Sequence, residues 1–273
     1  MSILLRRAMK RYIGDLRHET TDKWVRALIG DEAVADTTHA LLVWEPRRVV
    51  PTYAVPAADL HAELLPAPSP GAEGRPILPP SIPFAYHSTP GESFTVRAVG
   101  RDLDSAAFRP ADQDLAGYLV LDFGAFDAWY EEDVRLVGYP RDPYHRVDIR
   151  PSSRHVRVEL DGRLLAETDR PTLVFETNLQ VRYYLPRDDV RVELRPSDHH
   201  TSCAYKGVAS YWSMEGEDNL LWSYEDPLEE ARGLAGLVAF WDERVQVTVD
   251  RPGAGDMDVD VRTALAEEAA WRP

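Results

Sequence analysis

The chain repeats itself, and this repeat limits the possible folds more than any other feature of the sequence. Val25–Glu45 (VRALIGDEAVADTTHALLVWE) aligns without a gap with Val156–Glu176 (VRVELDGRLLAETDRPTLVFE), and seven of the 21 positions are identical. The match resumes in two further pairs of segments, Tyr53–Pro66 with Tyr183–Pro196 and Leu115–Phe123 with Leu234–Asp242. Self-similarity at a fixed spacing is typical of a duplicated structural unit. We therefore predict two related domains in pseudo-symmetric tandem, with a boundary near residue 150.

Both copies carry the alternating apolar and polar residues of half-buried strands. The clearest runs are HVRVEL (155–160), VRVEL (190–194) and VQVTV (245–249). The pair Asp161-Gly162 joins two such runs, and this dipeptide favours the tight turn of a β-hairpin. We therefore expect each copy to be a small, mainly β domain of antiparallel strands with few short helices.

Helical patterns are sparse and lie mainly near the two ends of the chain, where they help to define the predicted domain boundaries. They occupy the N-terminal segment, residues 227–234 and residues 261–271, and Asp226 before Pro227 fits an N-cap. We predict four parts: an N-terminal helix or arm over residues 1–22, a first β domain over 23–150, a second β domain over 151–250, and a partly helical tail over 251–273.

A proline-rich segment, Pro66–Pro83, interrupts the first copy. Proline lacks the N–H group of a strand ladder and fixes φ, so we expect a loop or an extended arm here. A loop that packs over the domain or stays flexible is the simpler interpretation. A polyproline arm that binds a protein partner is the alternative.

Charge and cysteine content exclude several classes of function. The net charge is −15, which makes nucleic acid and anionic membranes poor partners. A single cysteine, Cys203, rules out an intrachain disulfide and a zinc site built on cysteine pairs. The adjacent His199 and His200 would point to opposite faces of a strand, so we expect no metal site. We expect a cytoplasmic protein without a cofactor, and its oligomeric state stays open.

A set of ordered motifs resembles a known bacterial family, the domain of unknown function 427. These motifs are LLVWEP, YYLPRDDVRVEL, CAYKGVASYWS, WSYEDPL and LAGLVAFWDERVQVTVD. The second copy contains the whole pattern, and the first copy keeps its beginning and end. The resemblance implies a β-tent-like fold, related in shape to the cereblon ligand-binding domain and to methionine sulfoxide reductase B. Those relatives use cysteine pairs for a structural zinc, which this chain lacks. No established activity comes with the resemblance.

The second copy concentrates aromatic residues together with a few polar ones, and ligand sites usually have that mixture. We predict a ligand-binding pocket lined by Tyr184, Cys203, Tyr205, Trp212, Trp222 and Tyr224. On alternating strand positions Trp222 and Tyr224 should point together, whereas Tyr211 and Trp212 should point apart. Within AYKG, Gly207 is expected to permit a turn or bulge.

Two polar residues are the candidates for chemistry. Glu176 ends an apolar run, and its copy-one counterpart Glu45 is also an acid. Lys206 stands beside Gly207 and would hold an anion. Three hypotheses follow. In the first, the second copy binds a small polar or aromatic metabolite. In the second, it is an enzyme, a transferase or hydrolase of a nucleotide-like or acyl substrate, with Glu176 and Lys206 as catalytic residues. In the third, the protein is a structural or protein-interaction module that uses the proline-rich segment.

Overall fold

The computed structural model of the protein describes Ser2, residues 11–72 and residues 74–250. Strands make up 51% of it and helices 7%, and the sheets are antiparallel, so the predicted mainly β fold class is confirmed. The chain divides into two units, Met1–Asp142 and Pro143–Pro273. This division lies N-terminal to the predicted boundary at residue 150. No helix in the described ranges is long and apolar enough to cross a membrane.

The described residues of the first unit form eleven strands and two short 3₁₀ helices. The strands are β1 (Arg17–Thr20), β2 (Val25–Ile29), β3 (Glu32–Thr37), β4 (Leu41–Trp44), β5 (Thr52–Pro56), β6 (Glu63–Ala67), β7 (Gly91–Ala98), β8 (Arg101–Pro110), β9 (Tyr118–Leu121), β10 (Ala128–Glu131) and β11 (Val134–Arg135). The 3₁₀ helices are Tyr12–Gly14 and Ala57–Asp59. The strands form a seven-stranded sheet in the order β1-β4-β5-β9-β8-β7-β6 and a four-stranded sheet in the order β11-β10-β2-β3.

Between residues 143 and 250, the second unit forms ten strands and two 3₁₀ helices. The strands are β12 (Val147–Pro151), β13 (His155–Leu160), β14 (Arg163–Thr168), β15 (Thr172–Glu176), β16 (Arg182–Pro186), β17 (Arg195–Cys203), β18 (Gly207–Met214), β19 (Glu217–Ser223), β20 (Leu237–Phe240) and β21 (Gln246–Asp250). The helices are Arg187–Asp189 and Glu229–Leu234. Here the seven-stranded sheet has the order β12-β15-β16-β20-β19-β18-β17, and a three-stranded sheet has the order β14-β13-β21.

The seven-stranded sheets of the two units have the same strand order. Each strand of the first sheet corresponds to one of the second, and the repeat pairs β4 with β15 and β5 with β16. A side-chain hydrogen bond is also shared: the Thr37 hydroxyl donates to Asp59 at 2.6 Å, and the equivalent Thr168 hydroxyl donates to Asp189 at 2.6 Å. The two halves therefore fit the tandem arrangement that the repeat predicted.

In the second unit, apolar residues cover both faces of the seven-stranded sheet. On one face, Leu173 and Phe240 belong to a cluster with Val156 and Val158 of the three-stranded sheet. On the other face, Tyr184 and Trp222 belong to a cluster that the helix Glu229–Leu234 completes with Ala231 and Leu234. This second cluster lies beside the candidate site. The predicted hairpin also forms, because Leu160 pairs with Arg163 across Asp161-Gly162.

Several local predictions need correction. In the predicted strand VRVEL (190–194), only Val190 forms an isolated bridge, to Ala166. Its alternating apolar residues are partly buried against the core without a ladder. Asp226 is not an N-cap, because the 3₁₀ helix begins at Glu229 and its N-cap is Leu228, which makes no side-chain capping bond.

At the N-terminus, residues 3–10 of the predicted helix or arm lie outside the described residues. The part that follows them is no separate arm, since Arg17–Thr20 forms an edge strand of the first unit by pairing with β4. The predicted tail over residues 251–273 also lies outside the described residues.

The proline-rich segment is packed against the first unit at several points. Its beginning, Pro66 and Ala67, pairs with β7 despite the prolines, so the expectation that no ladder forms there is wrong for these two residues. Further along, Leu78 is fully buried, and its N–H donates to the carbonyl of Arg47 at 2.8 Å. The guanidinium of the buried Arg48 donates to four carbonyls, those of Ile82, Pro83, Phe84 and Tyr86.

Candidate functional site

The candidate site of the second unit is built from three separate parts of the chain. Glu176 is the last residue of β15. His145 lies just before β12, and the antiparallel pairing of Val147 with Glu176 brings it alongside. Lys206 belongs to the short connection between β17 and β18, which are far from β15 in the strand order. The tertiary fold, and not the sequence spacing, therefore assembles these three side chains.

The connection that carries Lys206 has a defined backbone geometry. Gly207 adopts a φ of +101°, which favours glycine, and it pairs with Cys203 across the turn. A Cβ at this position would lie 3.4 Å from both the Asp226 carbonyl oxygen and the Leu228 nitrogen. The Leu228 N–H donates to the Lys206 carbonyl at 3.1 Å. Gly207 therefore supplies the predicted turn and lets this connection pack closely against the segment after β19.

Glu176 accepts hydrogen bonds from two basic side chains. Lys206 Nζ lies 2.5 Å from its Oε2, and His145 Nε2 lies 3.0 Å from its Oε1. The side chains of Glu176 and Lys206 are only 11% and 10% exposed. The ring of Tyr205 stacks on the His145 imidazole, with centroids 4.7 Å apart. Glu176 is therefore a nearly buried carboxylate that lies between Lys206 and His145, and the Tyr205 ring packs against His145.

The surroundings keep Glu176 ionised. Burial by itself would raise the pKa of its carboxyl, but the hydrogen bond from His145 and the charge and hydrogen bond of Lys206 outweigh burial and lower the pKa below its ordinary value. An ionised carboxylate is the form that pairs with a protonated lysine. At neutral pH the site therefore contains a fixed negative charge compensated by Lys206.

The predicted aromatic residues lie next to this ion pair. Tyr184, Trp222 and Tyr224 belong to one buried cluster, and the partly buried Cys203 packs against it. Trp222 Nε1 donates to the Tyr184 hydroxyl at 2.9 Å. As predicted, Trp222 and Tyr224 point to the same face.

Tyr224 is 5% exposed and belongs to the same buried cluster as Tyr184 and Trp222. Burial raises the pKa of Tyr224, and the nearby Tyr184, Cys203 and Glu176 raise it further. These groups therefore lie near the Tyr224 hydroxyl. Because its pKa is raised, the hydroxyl stays protonated and can donate a hydrogen bond.

Trp212 is the one predicted pocket residue that the structure places elsewhere. It packs on the opposite face of the sheet from Trp222, as the alternation of Tyr211 and Trp212 predicted. Its Nε1 donates to Ser223 at 2.8 Å, and the guanidinium of Arg187 lies 3.6 Å from the ring centroid. Trp212 therefore cannot line the same site as the other five predicted residues.

Sequence reasoning missed His145. Its position faces Gly14 in the gap-free repeat alignment, so the comparison of the two copies gives no signal. The only hint is its place just before a strand that pairs with the end of LVFE. That pairing of β12 with β15 is a tertiary feature.

The first unit has an equivalent pair at the same place in its sheet. Glu45 follows β4, as Glu176 ends β15. His87, in the segment leading into β7, places Nδ1 2.9 Å from Glu45 Oε1, and the Ser88 N–H donates to Oε2 at 2.8 Å. Both side chains are almost fully buried. The duplication thus kept a carboxylate with a basic partner, and the partner is His87 in one unit and Lys206 in the other.

A shallow cavity of about 270 Å³ in the second unit lies elsewhere. It is lined by residues of two hairpin turns, among them Asp161, Arg163, Glu215 and Glu217. None of the predicted site residues lines it. No group of three or more His, Cys, Asp or Glu side chains placed to hold a metal ion occurs in the described part of the chain.

The second unit is similar in sequence to a known protein family. Residues 148–251 match the family model of a domain of unknown function, DUF427. The match covers almost all of the described second unit, including Glu176 and Lys206, and less than half of the chain. The first unit lies outside it, so its kinship to the second depends on the repeat and the common strand order. No curated protein matches the chain significantly.

Proposed function

We propose that the second unit, the DUF427 domain, binds a small polar or aromatic metabolite beside the Glu176–Lys206 pair. The observation that carries the proposal is the nearly buried ion pair of Glu176 and Lys206, whose lysine has N–H donors left over beside a cluster of aromatic side chains. Buried polar groups in native proteins are nearly always hydrogen-bonded. The N–H groups of Lys206 that Glu176 does not use, and the nearby Tyr224 hydroxyl, are therefore suited to donate to an acceptor atom of a ligand.

The site has more hydrogen-bond donors than the chain provides acceptors for. Lys206 Nζ carries three N–H donors, and Glu176 is its one hydrogen-bond partner among the described residues. Tyr224 adds one more donor. The rings of Tyr205 and Trp222 offer flat apolar surfaces nearby, of which Tyr205 stacks on His145. A ligand with an acceptor-rich end and a flat or aromatic body would match this arrangement.

Binding is better supported than acid–base catalysis. A general base works best when its pKa lies near the working pH. His145 and Lys206 instead lower the pKa of Glu176, which makes it a weaker base than an ordinary carboxylate. Both oxygens of Glu176 are already engaged. Glu176 therefore suits the role of holding Lys206 and His145 in place.

A thermal-shift screen against a metabolite library, followed by calorimetry on the hits, tests the proposal. A ligand that binds only the folded protein raises the Tm, and the stabilisation grows with the logarithm of its concentration over Kd. Tyr224→Phe removes only the hydroxyl and should weaken binding roughly fivefold to a hundredfold, the equivalent of about 1–3 kcal/mol. Trp212→Phe, on the opposite face of the sheet, is the matched control and should leave the Kd unchanged.

Two results would contradict the proposal. The first is the absence of any stabilising compound in a broad library of polar and aromatic metabolites. The second is a ligand whose Kd changes with Trp212→Phe and not with Tyr224→Phe, which would place its site on the other face.

A further inference from the structure

Among the described residues of the first unit, five polar side chains have a buried atom without a hydrogen-bond partner. Three of these atoms, His87 Nε2, Ser93 Oγ and Arg48 Nε, are considered together because they lie in one region. The three residues are 4%, 3% and 8% exposed, so solvent does not reach the atoms from outside. Unpartnered buried polar atoms are rare in native proteins, and each one calls for an explanation.

The three atoms belong to one region of the first unit. The His87 ring stacks on Phe108 with centroids 3.6 Å apart. Ser93 is the cross-strand partner of Phe108 between β7 and β8, so their side chains project from the same face. Arg48 Nη2 donates at 2.8 Å to the carbonyl of Tyr86, the residue before His87. The ring of Phe108 is thus the common neighbour of His87 and Ser93, and Arg48 is anchored beside them.

The partner of His87 fixes the chemistry of the free ring nitrogen. Glu45 is a carboxylate that only accepts, so the 2.9 Å contact places the ring proton on Nδ1. In the neutral imidazole, Nε2 is then an acceptor. The Arg48 Nε–H is a donor, and the Ser93 hydroxyl can act in either role. A molecule that satisfies this set has to donate one hydrogen bond and accept another.

We propose that the first unit encloses a small uncharged molecule that donates to His87 Nε2, accepts from Arg48 Nε–H and forms a hydrogen bond with the Ser93 hydroxyl. A fully deprotonated anion has no proton to give Nε2, and an ammonium-type cation has no acceptor atom for the arginine N–H. Water has the required chemistry, and so does a small alcohol or primary amide. This site is independent of the one proposed for the second unit, although it adjoins the equivalent acid–base pair, Glu45 and His87.

Nuclear Overhauser spectroscopy on the isotope-labelled full chain tests the proposal directly. We expect the ring protons of His87 and Phe108 to show cross-peaks to a resonance that belongs to no residue of the chain. A cross-peak at the solvent frequency identifies an enclosed water. One at another frequency, with a matching small compound in the extract of the denatured protein, identifies a retained organic molecule. Absence of any such cross-peak overturns the proposal.

A stability measurement provides a second test, because the two possibilities predict different changes in the Tm of Ser93→Ala. If the Ser93 hydroxyl bonds an enclosed molecule, Ser93→Ala loses that bond and lowers the Tm. If the hydroxyl has no partner at all, alanine removes an unsatisfied group, and the Tm stays the same or rises. Ser213→Ala is the reference, because the Ser213 hydroxyl accepts from the Asn219 N–H at 3.0 Å and its loss should lower the Tm.

An unchanged or raised Tm for Ser93→Ala, measured beside a lowered Tm for Ser213→Ala, overturns the proposal. A Tm lowered in both variants supports it. Should Ser93→Ala fail to fold, the cross-peaks of the unmodified protein decide the question alone.

Discussion

Replacing Lys206 by methionine removes the charge from the buried ion pair while keeping an unbranched side chain of similar length. Nearly 90% of both partner side chains is buried in the structure, since Lys206 is 10% and Glu176 is 11% exposed. Removing one partner of a buried pair typically costs about 3–5 kcal/mol, because the other charge remains buried. His145 still donates to Glu176 and compensates part of this charge. We therefore expect the free energy of unfolding of the second unit to fall by about 2–4 kcal/mol.

Urea denaturation followed by tryptophan fluorescence and far-ultraviolet circular dichroism measures this change. Lys23→Met is the matched control: Lys23 also pairs with a glutamate, Glu131, at 2.5 Å, but its side chain is 46% exposed. Exposed pairs contribute about 0–1 kcal/mol. The two variants make the same chemical change, so the difference between them isolates the effect of burial.

The dependence on pH adds an internal check. The pKa of Glu176 is lowered in the folded protein, so its pair contributes stability above the unfolded pKa of about 4.3. That contribution is lost as the pH falls through the lower folded pKa. The cost of Lys206→Met should therefore shrink in acid. A cost below about 0.5 kcal/mol at pH 7, or a cost independent of pH, would refute the assignment of a buried, ionised pair.

Three further predictions test other parts of the fold. Burial raises the pKa of Asp242 to about 6, above an unfolded value of about 3.9; the folded state therefore keeps this proton longer, and stability should fall by about 3 kcal/mol as the pH rises from about 4 to about 6. Asp242→Asn should flatten that part of the pH profile in urea denaturation, and an unaltered profile would assign the effect to another group. Thr168→Val removes the 2.6 Å bond to Asp189 and should cost about 1.5–3 kcal/mol, as for other bonds to a charged group; a change within 0.5 kcal/mol, on the order of a surface substitution, would contradict it. Gly91→Ala would place its Cβ 2.4 Å from the Arg109 carbonyl oxygen, and a loss of about 1–3 kcal/mol or more in thermal denaturation is expected; an unchanged Tm would mean that β8 moves away without cost.

Prediction from the sequence worked best where the pattern depends on neighbouring residues. The alternation in HVRVEL predicted β13, and Asp161-Gly162 predicted its hairpin, since turn type and side-chain direction are local properties. The same alternation failed at residues 190–194. Alternating apolar residues show which side is buried, but a strand also needs a neighbouring edge to pair with, and here only Val190 bridges to Ala166.

In the candidate site, too, the sequence predicted the residues but not the contact between them. Glu176 and Lys206 were singled out because the repeat keeps the acid and because lysine stands beside a glycine. Their contact at 2.5 Å joins residues 30 positions apart in the chain, and no periodicity predicts such a distance. Trp212 was assigned to the pocket from composition alone, whereas its place on the strand puts it on the other face.

The internal repeat was enough to predict two β units with the same pattern of strands. A duplicated pattern of apolar residues imposes the same burial, and so the same strand order, on both copies. The partners of the acid that both copies retain depend on long-range contacts of the folded chain. The pairing of β12 with β15 brings His145 to Glu176, and the turn at Gly207 brings Lys206 to it from a distant strand. In the first unit the corresponding acid, Glu45, meets His87 in a buried layer of Phe84 and Phe108. Long-range contacts of this kind depend on the packing of the whole sheet, which is why the local sequence does not contain them.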